Sequence, residues 1–430
     1  MLRLRQFKLI LILLVSLYCY FFTGCAFVQA VETEFTFISA DHSYALQLQH
    51  GKQKFTLDFA LPGLIETRIA KFWKFNQKSI PVPAFADNTL SLEEKKILVI
   101  DNANLEKFLE TELSPQVSLP KQDVLIKKSE TPNEVSFEGT FRDGEVIDYD
   151  SLLFLIKYAL ENKASYIQIP FKKALATLTT EGLDFEIKEI LSVGESDFSG
   201  SPPNRVYNLK RGIEILNGAI LTAGKEFSFN QMLGPVNLKT GFKKELVIQG
   251  ENTEPDYGGG LCQVSTTLYR AALKAGLPIT VRKPHSYAVS YYYPYGLDAT
   301  ISQPQPDLRF VNDTAGPLVI QGYTEKNKVY FKLYGLADSR TTELKGPFVS
   351  NWVEPPPDQI IETTELPLGQ TEIKEKPHRG FKARWIRQIF SSNGKTITEE
   401  ILSSYEARPK KILIGVETGE ETKSDGVIKW

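Results

Sequence analysis

Residues 257–276, with the sequence YGGGLCQVSTTLYRAALKAG, join a run of three glycines to an apolar helix. Five residues of the segment fall on one helical face: Val264, Leu268, Ala271, Ala272 and Ala275. That periodicity predicts a helix with one side packed against the rest of the domain. Gly276 suits the residue that ends such a helix. The pattern therefore places Cys262 at a helix N-terminus, directly after a turn whose tight backbone favours glycine.

The predicted position of Cys262 favours ionisation of its thiol. Unpaired N–H groups and the positive end of the helix dipole face the first turn of a helix. Both features lower a cysteine pKa, and the backbone N–H of Cys262 or Gln263 is available to hold an oxyanion. Two other interpretations stay open. One is a buried, inert thiol, and the other is a phosphate site, although the turn lacks the lysine of a phosphate-binding loop.

The N-terminus carries an export signal, because three basic residues precede an apolar run at 9–22 without any acid. The signal can be cleaved after Ala30, or it can be replaced by a lipid on Cys25, which follows Thr23 and Gly24. A retained anchor helix is a third outcome, although the run is short for a bilayer span. Each outcome predicts an exported protein of the periplasm or cell wall that touches a membrane only through this segment.

The numbers of cysteines and charged residues argue against an internal disulfide and against nucleic-acid binding. Two of the three cysteines, Cys19 and Cys25, lie in or beside the signal, so Cys262 is the one thiol of the mature body and has no partner for an internal disulfide. The formal net charge of -2 gives no reason to expect nucleic-acid binding. No cofactor is predicted. A metal site is not predicted either, because the ligand set is thin and lacks CxxC or HxxxH spacing.

A thiolate nucleophile needs a base, and His285 is the candidate among only four histidines. Alternating residues after it predict a strand: Val289, Tyr291 and Tyr293. A third group has to orient the imidazole. Asp298 is the preferred candidate for that role, and Asp256 and Glu251 are alternatives.

Nearby polar residues are candidates for substrate contacts. Ser265 and Thr266 lie one turn into the predicted helix, where they either line the pocket or serve as ordinary helix-start hydroxyls. Arg282 either holds a substrate carboxylate bidentately or is a solvated surface charge.

The order of predicted elements indicates a multidomain α+β protein. After a signal at 1–30, we expect an α+β region at 31–200, a domain at 201–340 with the cysteine-bearing helix against an antiparallel sheet, and a small β-rich module at 350–420 that contains an Asn393-Gly394 hairpin turn. Within the first region, a helix from Asp148 or Asp150 is flanked by short strands. The predicted core strand residues of the second domain are Phe227, Phe229, Leu246, Ile248, Leu308, Phe310, Leu318 and Ile320.

Several blocks in succession resemble the VanW family. They read RVYNLKRGIEILNGAIL, AGKEFSFNQMLGPV, GFKKELVIQG, GGGLCQVSTTLYRAALKAGL, RKPHSYAVSYYYPYGLDATI and PDLRFVNDTAGPLVIQ, and they cover residues 204–335. The resemblance implies that Cys262 is the nucleophile, that His285 is the base of an HS motif, and that Asp298 belongs to a DAT motif. It also implies substrate or oxyanion contacts by residues of the same motifs, namely Gly259, Gly260, Gln263, Ser265, Thr266 and Ser286. The α+β region before the domain resembles a peptidoglycan-binding domain that often precedes it.

Some members of the family act as peptidoglycan L,D-transpeptidases, so the resemblance implies that stem peptides are the partners of this protein. Cys262 would form a thioester with a donor stem and pass it to an acceptor amine, which makes a 3-3 cross-link. Two alternatives stay open. One is a cysteine endopeptidase that cuts peptidoglycan, and the other is a wall-binding protein without enzymatic activity, in which Cys262 is structural.

Overall fold

The computed structural model describes residues 37–39, 45–58, 64–75, 78–81, 92–162, 164–249 and 252–417. The export signal and Cys25 lie outside this range. Among the described residues, no helix has both the length and the apolar character that crossing a bilayer requires.

The chain is mainly strand with a few short helices. The helices are α1 (Asn102–Phe108), α2 (Ser114–Val117), α3 (Tyr149–Asn162), α4 (Pro203–Leu216), α5 (Phe229–Leu233) and α6 (Leu261–Lys274), with a π-helical turn at Leu109–Leu113 and 3-10 turns at Leu238–Thr240 and Ser290–Tyr292. The first strands are β1 (Phe37–Ser39), β2 (Ala45–His50), β3 (Gln53–Asp58), β4 (Ile65–Phe75), β5 (Lys78–Pro81), β6 (Leu92–Ile100), β7 (Gln122–Lys128), β8 (Val135–Arg142), β9 (Gly144–Ile147), β10 (Tyr166–Gln168), β11 (Phe171–Ala174), β12 (Leu178–Glu181) and β13 (Glu189–Asp197). The later strands are β14 (Ile220–Leu221), β15 (Glu226–Ser228), β16 (Lys244–Gln249), β17 (Asn252–Tyr257), β18 (Ile279–Val281), β19 (Arg309–Val311), β20 (Leu318–Glu325), β21 (Lys328–Gly335), β22 (Thr341–Val353), β23 (Gln359–Thr363), β24 (Thr371–Glu375), β25 (Gly380–Phe390), β26 (Thr396–Tyr405) and β27 (Lys411–Gly415).

The chain divides into two compact units. The first unit comprises residues 1–122 and 141–176, and the second comprises 123–140 and 177–430. The domain boundaries expected near residues 200 and 340–350 stay predictions, and they do not coincide with the limits of these two compact units. Strand β13 ends at Asp197 but pairs antiparallel with β21 along its whole length, so it belongs to the second unit. The predicted module at 350–420 also belongs to that unit.

The first unit has its own core, in which helix α3 packs with the β10–β2–β3 sheet. The buried face of α3 carries Leu152, Ile156 and Ala159 at helical spacing. Asp148 lies just before the helix and accepts a hydrogen bond from the Ser151 hydroxyl at 2.7 Å, as expected at a helix start. The predicted strand–helix–strand elements of this region are confirmed.

The second unit is built on an antiparallel sheet with the strand order β13-β21-β20-β14. Helix α6 packs against β13, and the approach is close because Gly194 has no side chain. A Cβ there would lie 2.1 Å from the Thr267 carbonyl oxygen. The Ser192 hydroxyl donates to the Ala271 carbonyl at 2.8 Å, and the hydroxyls of Ser196 and Thr267 lie 2.7 Å apart. These contacts fix the depth and rotation of the helix that carries Cys262.

The β22–β25–β26 sheet packs against the same core as α6. Its Trp385 is buried with the apolar residues of α6 and donates its indole N–H to the Tyr295 carbonyl at 2.8 Å. The hairpin between β25 and β26 turns at Asn393 and Gly394 as predicted, with Gly394 at φ 81°. Residues of β26 and of the loop after it therefore lie beside the segment that follows α6.

The α+β, multidomain fold class is confirmed, and so are most of the predicted core residues. Phe227, Leu308, Phe310, Leu318 and Ile320 are buried. Two details were wrong. Phe229 is buried on α5 rather than on a strand, and Leu246 is 54% exposed, because its hairpin β16–β17 pairs with no further strand. The side chain of Ile248 lies outside the described residues.

We predict that Phe310→Ala lowers the free energy of unfolding by about 3–5 kcal/mol, because the ring is fully buried and stacks on Phe227. Leu246→Ala is the control and should change it by less than about 0.5 kcal/mol, because its side chain is largely exposed. Urea unfolding of both variants measures the difference. Similar losses at the two positions would contradict the core described above.

Candidate active site

Helix α6 presents Cys262 in its first turn, after the glycine run. Gly260 has φ 113°, which an L side chain rarely adopts. Gly259 faces the β16 backbone, and a Cβ there would lie 2.8 Å from the Leu246 carbonyl oxygen. The glycines of the motif are therefore required for the turn and for this close approach. Cys262 is a free thiol with a partly exposed side chain, so it is accessible to a reagent or substrate.

His285 and Asp298 form a buried pair. The Asp298 carboxylate accepts from the His285 Nδ1–H at 2.6 Å and from the His285 backbone N–H at 2.7 Å. Both side chains are nearly inaccessible to solvent. With Nδ1 engaged in this way, Nε2 is the ring nitrogen left to interact with the thiol.

The electrostatics of the three residues are coupled. Burial raises the pKa of Cys262, but the nearby imidazole of His285 outweighs burial, so the thiol pKa lies below its ordinary value. Burial lowers the pKa of His285, but the hydrogen bond to Asp298 and the nearby thiol of Cys262 raise it to about 9. Burial also opposes ionisation of Asp298, yet the hydrogen bond and charge of His285, with the charge of Arg282, hold its pKa well below the usual range. Both shifts act in the same direction, toward a thiolate beside an imidazolium.

His285 lies in an irregular segment rather than on the predicted strand. Residues 282–289 form no strand, and a 3-10 turn follows at Ser290–Tyr292. The turn brings the Tyr292 ring onto the imidazole, with ring centroids 4.2 Å apart. Tyr292 is buried, so it covers one face of His285 and limits water there. Alternating Val289, Tyr291 and Tyr293 therefore reflect this turn and not a strand.

Asp298 receives further support from the C-terminal sheet. The hydroxyl of Tyr405, at the end of β26, donates to Asp298 Oδ1 at 2.5 Å and accepts from the Gly296 N–H at 2.7 Å. Burial raises the pKa of Tyr405, and the charge of Asp298 raises it further. The phenol therefore stays protonated and acts as a fixed donor to the carboxylate.

The substrate-binding hypothesis for Arg282 is not supported by its placement. Its guanidinium donates to the Asp298 carbonyl at 2.6 Å, to the Gly296 carbonyl at 3.0 Å and to the Ser403 hydroxyl at 2.9 Å, and it contacts Asp298 Oδ1 at 3.3 Å. These partners occupy the fork that a substrate carboxylate would need. Arg282 instead compensates the buried charge of Asp298.

Ser286 also has a structural partner. Its hydroxyl accepts from Arg408 at 2.8 Å, and its carbonyl accepts from the Glu406 N–H at 2.7 Å. The residue therefore connects the His285 segment to the loop after β26 instead of facing substrate.

The hydroxyls of the first helical turns point into the core. Ser265 donates to the Ala299 carbonyl at 2.6 Å, and Thr266 accepts from the Ala299 N–H at 3.0 Å; both residues are fully buried. They hold the Asp298 segment against α6, which corrects their assignment as pocket-lining groups. The Gln263 N–H donates to the Gly260 carbonyl at 2.9 Å, so it is not a free oxyanion donor. The backbone N–H of Cys262 remains the candidate.

Sequence reasoning missed Arg205. This residue starts α4 and is only 9% exposed, on the same helical face as Leu209 and Gly212. Its guanidinium donates to the Gln263 side chain at 3.1 Å and lies 4.4 Å from the Tyr291 ring centroid. A charged residue on an apolar helical face was the signal in the sequence that could have identified it.

Of the two alternatives for the third group, the structure describes only Asp256. Asp256 lies on β17, where it pairs with Glu245 across the hairpin. Glu251 lies outside the described residues. Asp298 is therefore the carboxylate that the structure brings together with His285.

We predict that His285→Gln raises the pKa of Cys262, because the opposing effect of burial then acts without the imidazolium. A smaller thiolate fraction reacts more slowly, so iodoacetamide alkylation at pH 7 should slow relative to the parent protein. The pH dependence of the alkylation rate gives the pKa directly. His50→Gln, in the other unit, is the control and should leave the profile unchanged. An unchanged profile for His285→Gln would contradict the coupling.

We predict that Tyr405→Phe destabilises the protein by about 1–3 kcal/mol, because it removes a buried donor to Asp298 and leaves the Gly296 N–H without its acceptor. Tyr207→Phe, on the partly exposed side of α4, should cost less than about 0.5 kcal/mol. Urea unfolding compares them. Equal stability of Tyr405→Phe and the parent would mean that the phenol does not support the carboxylate.

A family model described as VanW like protein matches residues 204–334, the segment that contains Arg205, Cys262, His285 and Asp298. A curated relative named "Uncharacterized protein YoaR", from Bacillus subtilis, is 32% identical over 171 residues, which are 40% of this chain and 56% of that protein. The "Vancomycin B-type resistance protein VanW" of Enterococcus faecalis is 34% identical over 118 residues, which are 26% of this chain and 42% of that protein.

The chain thus spans about half the length of these relatives. A solved chain, described as "Crystal structure of HP0197-G5", aligns with 18% of this chain and 99% of its own length at 19% identity, with a TM-score of 0.10. The family match covers the whole of the Cys–His–Asp arrangement but not the β26 segment that contributes Tyr405. Residues 204–334 of this chain therefore form a VanW-like domain.

Proposed function

We propose that the protein is a cell-envelope cysteine acyl-transferase that acts on peptidoglycan stem peptides as an L,D-transpeptidase. The observation that carries this proposal is the ordered set of Cys262, His285 and Asp298, with the acid–imidazole hydrogen bond at 2.6 Å and a thiol of lowered pKa. Relatedness to a protein named for vancomycin resistance supports a role at the cell wall. The export signal in the sequence supports a site of action outside the cytoplasm.

In the first step, the Cys262 thiolate attacks the carbonyl carbon of the donor amide and a carbon–sulfur bond forms. The oxyanion that develops is held by the Cys262 backbone N–H at the start of α6. The carbon–nitrogen bond then breaks, and the imidazolium of His285 gives its proton to the leaving amine. The products are a thioester on Cys262 and a free amino acid, which is D-Ala for a tetrapeptide donor.

In the second step, the side-chain amine of an acceptor diamino acid attacks the thioester. The neutral imidazole of His285 takes the proton from the attacking nitrogen, and the thiolate of Cys262 leaves. A new amide joins the two stems, and the thiolate–imidazolium pair is restored. Asp298 stays ionised throughout, because His285, Arg282 and Tyr405 all donate to it. It therefore holds the imidazole in one tautomer and stabilises its charge.

Water can attack the same thioester, so an endopeptidase would use the same residues. The stacked Tyr292 ring and the burial of His285 support transfer, because they limit water around the base. The identity of the product separates the two activities.

We predict that the purified protein converts disaccharide-tetrapeptide muropeptides into dimers that have lost one D-Ala, and that Cys262→Ala forms none. The imidazolium needed as an acid is lost as pH rises through the His285 pKa of about 9, so the rate of dimer formation should fall above that pH. Mass spectrometry identifies the products. Cys262→Ser is a second control that keeps the shape of the site.

Two outcomes would contradict this function. Shortened monomers without dimers would assign the protein to hydrolysis. No change of substrate, with the thiol still reactive toward iodoacetamide, would remove stem peptides as its acyl donors.

A further inference from the structure

Arg205 is a buried cation whose hydrogen-bond partner, the Gln263 amide, is neutral. Its side chain is largely inaccessible, and no carboxylate of the described part of the chain forms an ion pair with it. Its Nε–H has no acceptor among the described residues. One guanidinium nitrogen donates to the neutral Gln263 amide at 3.1 Å, and the plane of the group lies over Tyr291.

This arrangement is costly in the unliganded protein. Burying a guanidinium removes its hydration, and neutral contacts compensate only part of that loss. Arg282 and Arg340 each have a carboxylate partner, Asp298 and Asp313 respectively. The buried Arg270 instead donates to three main-chain carbonyls, those of Leu297, Glu195 and Tyr292. Arg205 has neither a carboxylate nor such a set of carbonyl acceptors. An anion that enters the site would therefore receive a strong, charge-assisted interaction.

Arg205 is held on two sides by Gln263 and Tyr291, which are sequence neighbours of residues at the reactive site. Gln263, which accepts from its guanidinium, directly follows Cys262 in α6. Gln263 is itself held, because its amide nitrogen donates to the Asp197 carbonyl at 2.8 Å and to the Ser196 hydroxyl at 3.2 Å. On the other side, Tyr291 precedes the ring that stacks on His285. The guanidinium therefore lies beside the Cys–His pair, and its contacts with Gln263 and Tyr291 restrict its movement.

We propose that Arg205 is an anion subsite that binds the free terminal carboxylate of the acyl donor next to Cys262. This subsite rests on the proposed transpeptidase function and specifies the acyl donor of that reaction. In a donor whose leaving residue is C-terminal, the carboxylate lies only two carbon atoms beyond the scissile nitrogen. A guanidinium beside the thiol suits that short distance, and a charge-assisted hydrogen bond to a carboxylate is stronger than one to the neutral Gln263 amide. The subsite would select donors with one residue after the scissile bond over longer or amidated ones.

A simpler role for Arg205 is to stabilise the thiolate through its charge. The two roles differ in a measurable way. Thiolate stabilisation changes the rate of every alkylating reagent by the same factor, because all of them attack the same ion. An anion subsite accelerates an anionic reagent relative to a neutral one of the same shape.

The test compares iodoacetate with iodoacetamide. In each reaction, the Cys262 thiolate attacks the methylene carbon and iodide leaves, so the ratio of the two rates cancels the thiol pKa. We expect this ratio to exceed that of N-acetylcysteine amide by about tenfold, which corresponds to about 1.4 kcal/mol of selective binding. Arg205→Gln should lower the ratio to the model value, and Arg205→Lys should retain part of it, because lysine keeps the charge but loses the fork. Arg211→Gln makes the same charge change on the exposed face of α4 and should leave the ratio unchanged.

A ratio in the parent protein equal to that of the model thiol would overturn the subsite, whatever the protein does to muropeptides. A raised ratio that persists in Arg205→Gln would assign the effect to another group and would also overturn it. If Arg205→Gln does not fold, protection of the parent protein from iodoacetamide answers the same question. N-acetyl-D-alanine should protect and its amide should not, and equal protection by the two would contradict the proposal. If dimers never form but the raised ratio depends on Arg205, the subsite stands and the proposed reaction falls.

Discussion

The buried carboxylate of Asp298 is the group on which the arrangement of the site depends. A carboxylate removed from water is stable only when donors replace its hydration. Here the donors come from two separate segments, namely the irregular segment that carries Arg282 and His285, and the end of β26. Each segment is therefore held in place by the same charge. The orientation of the imidazole toward the thiol follows from that arrangement, and so does the raised pKa of His285.

The two arginines near the thiol, Arg282 and Arg205, differ in their hydrogen-bond partners. Arg282 is surrounded by acceptors of the protein, so its charge is already compensated. Arg205 has only a neutral amide and an aromatic ring. The sequence analysis singled out only Arg282 as a candidate substrate contact, but the partners of the two residues decide what each can bind. A residue's type indicates a possible ligand, whereas its unfilled hydrogen-bonding capacity indicates whether a ligand is needed.

Much of the site could be predicted because its signals are local. The glycine run, the helical periodicity after it and the scarcity of thiols and histidines identify Cys262 and His285, and the structure brings Asp298 to them. The family resemblance also implied a role for each of these three residues. Partners that are distant in sequence could not be predicted, since nothing near Tyr405 or Ser403 marks a contact with residues 282–298. The exposure of Leu246 was missed for a similar reason, because alternation predicts a strand but not whether a second layer covers it.

The contribution of Tyr405 lies more than seventy positions beyond the matched domain, which ends at residue 334. The hydrogen bond from Tyr405 to the buried charge of Asp298 crosses the end of the family match. The VanW-like domain and the C-terminal sheet of the second unit therefore have to be inherited together. A C-terminal sheet from a relative could then replace this one only if it places a hydrogen-bond donor at the position of the Tyr405 hydroxyl. The Tyr405 phenol, the Arg282–Ser403 hydrogen bond and the Arg408–Ser286 hydrogen bond together limit modularity in this chain. A unit for transplantation or shortening therefore runs at least to the end of the loop after β26, beyond the end of the family match.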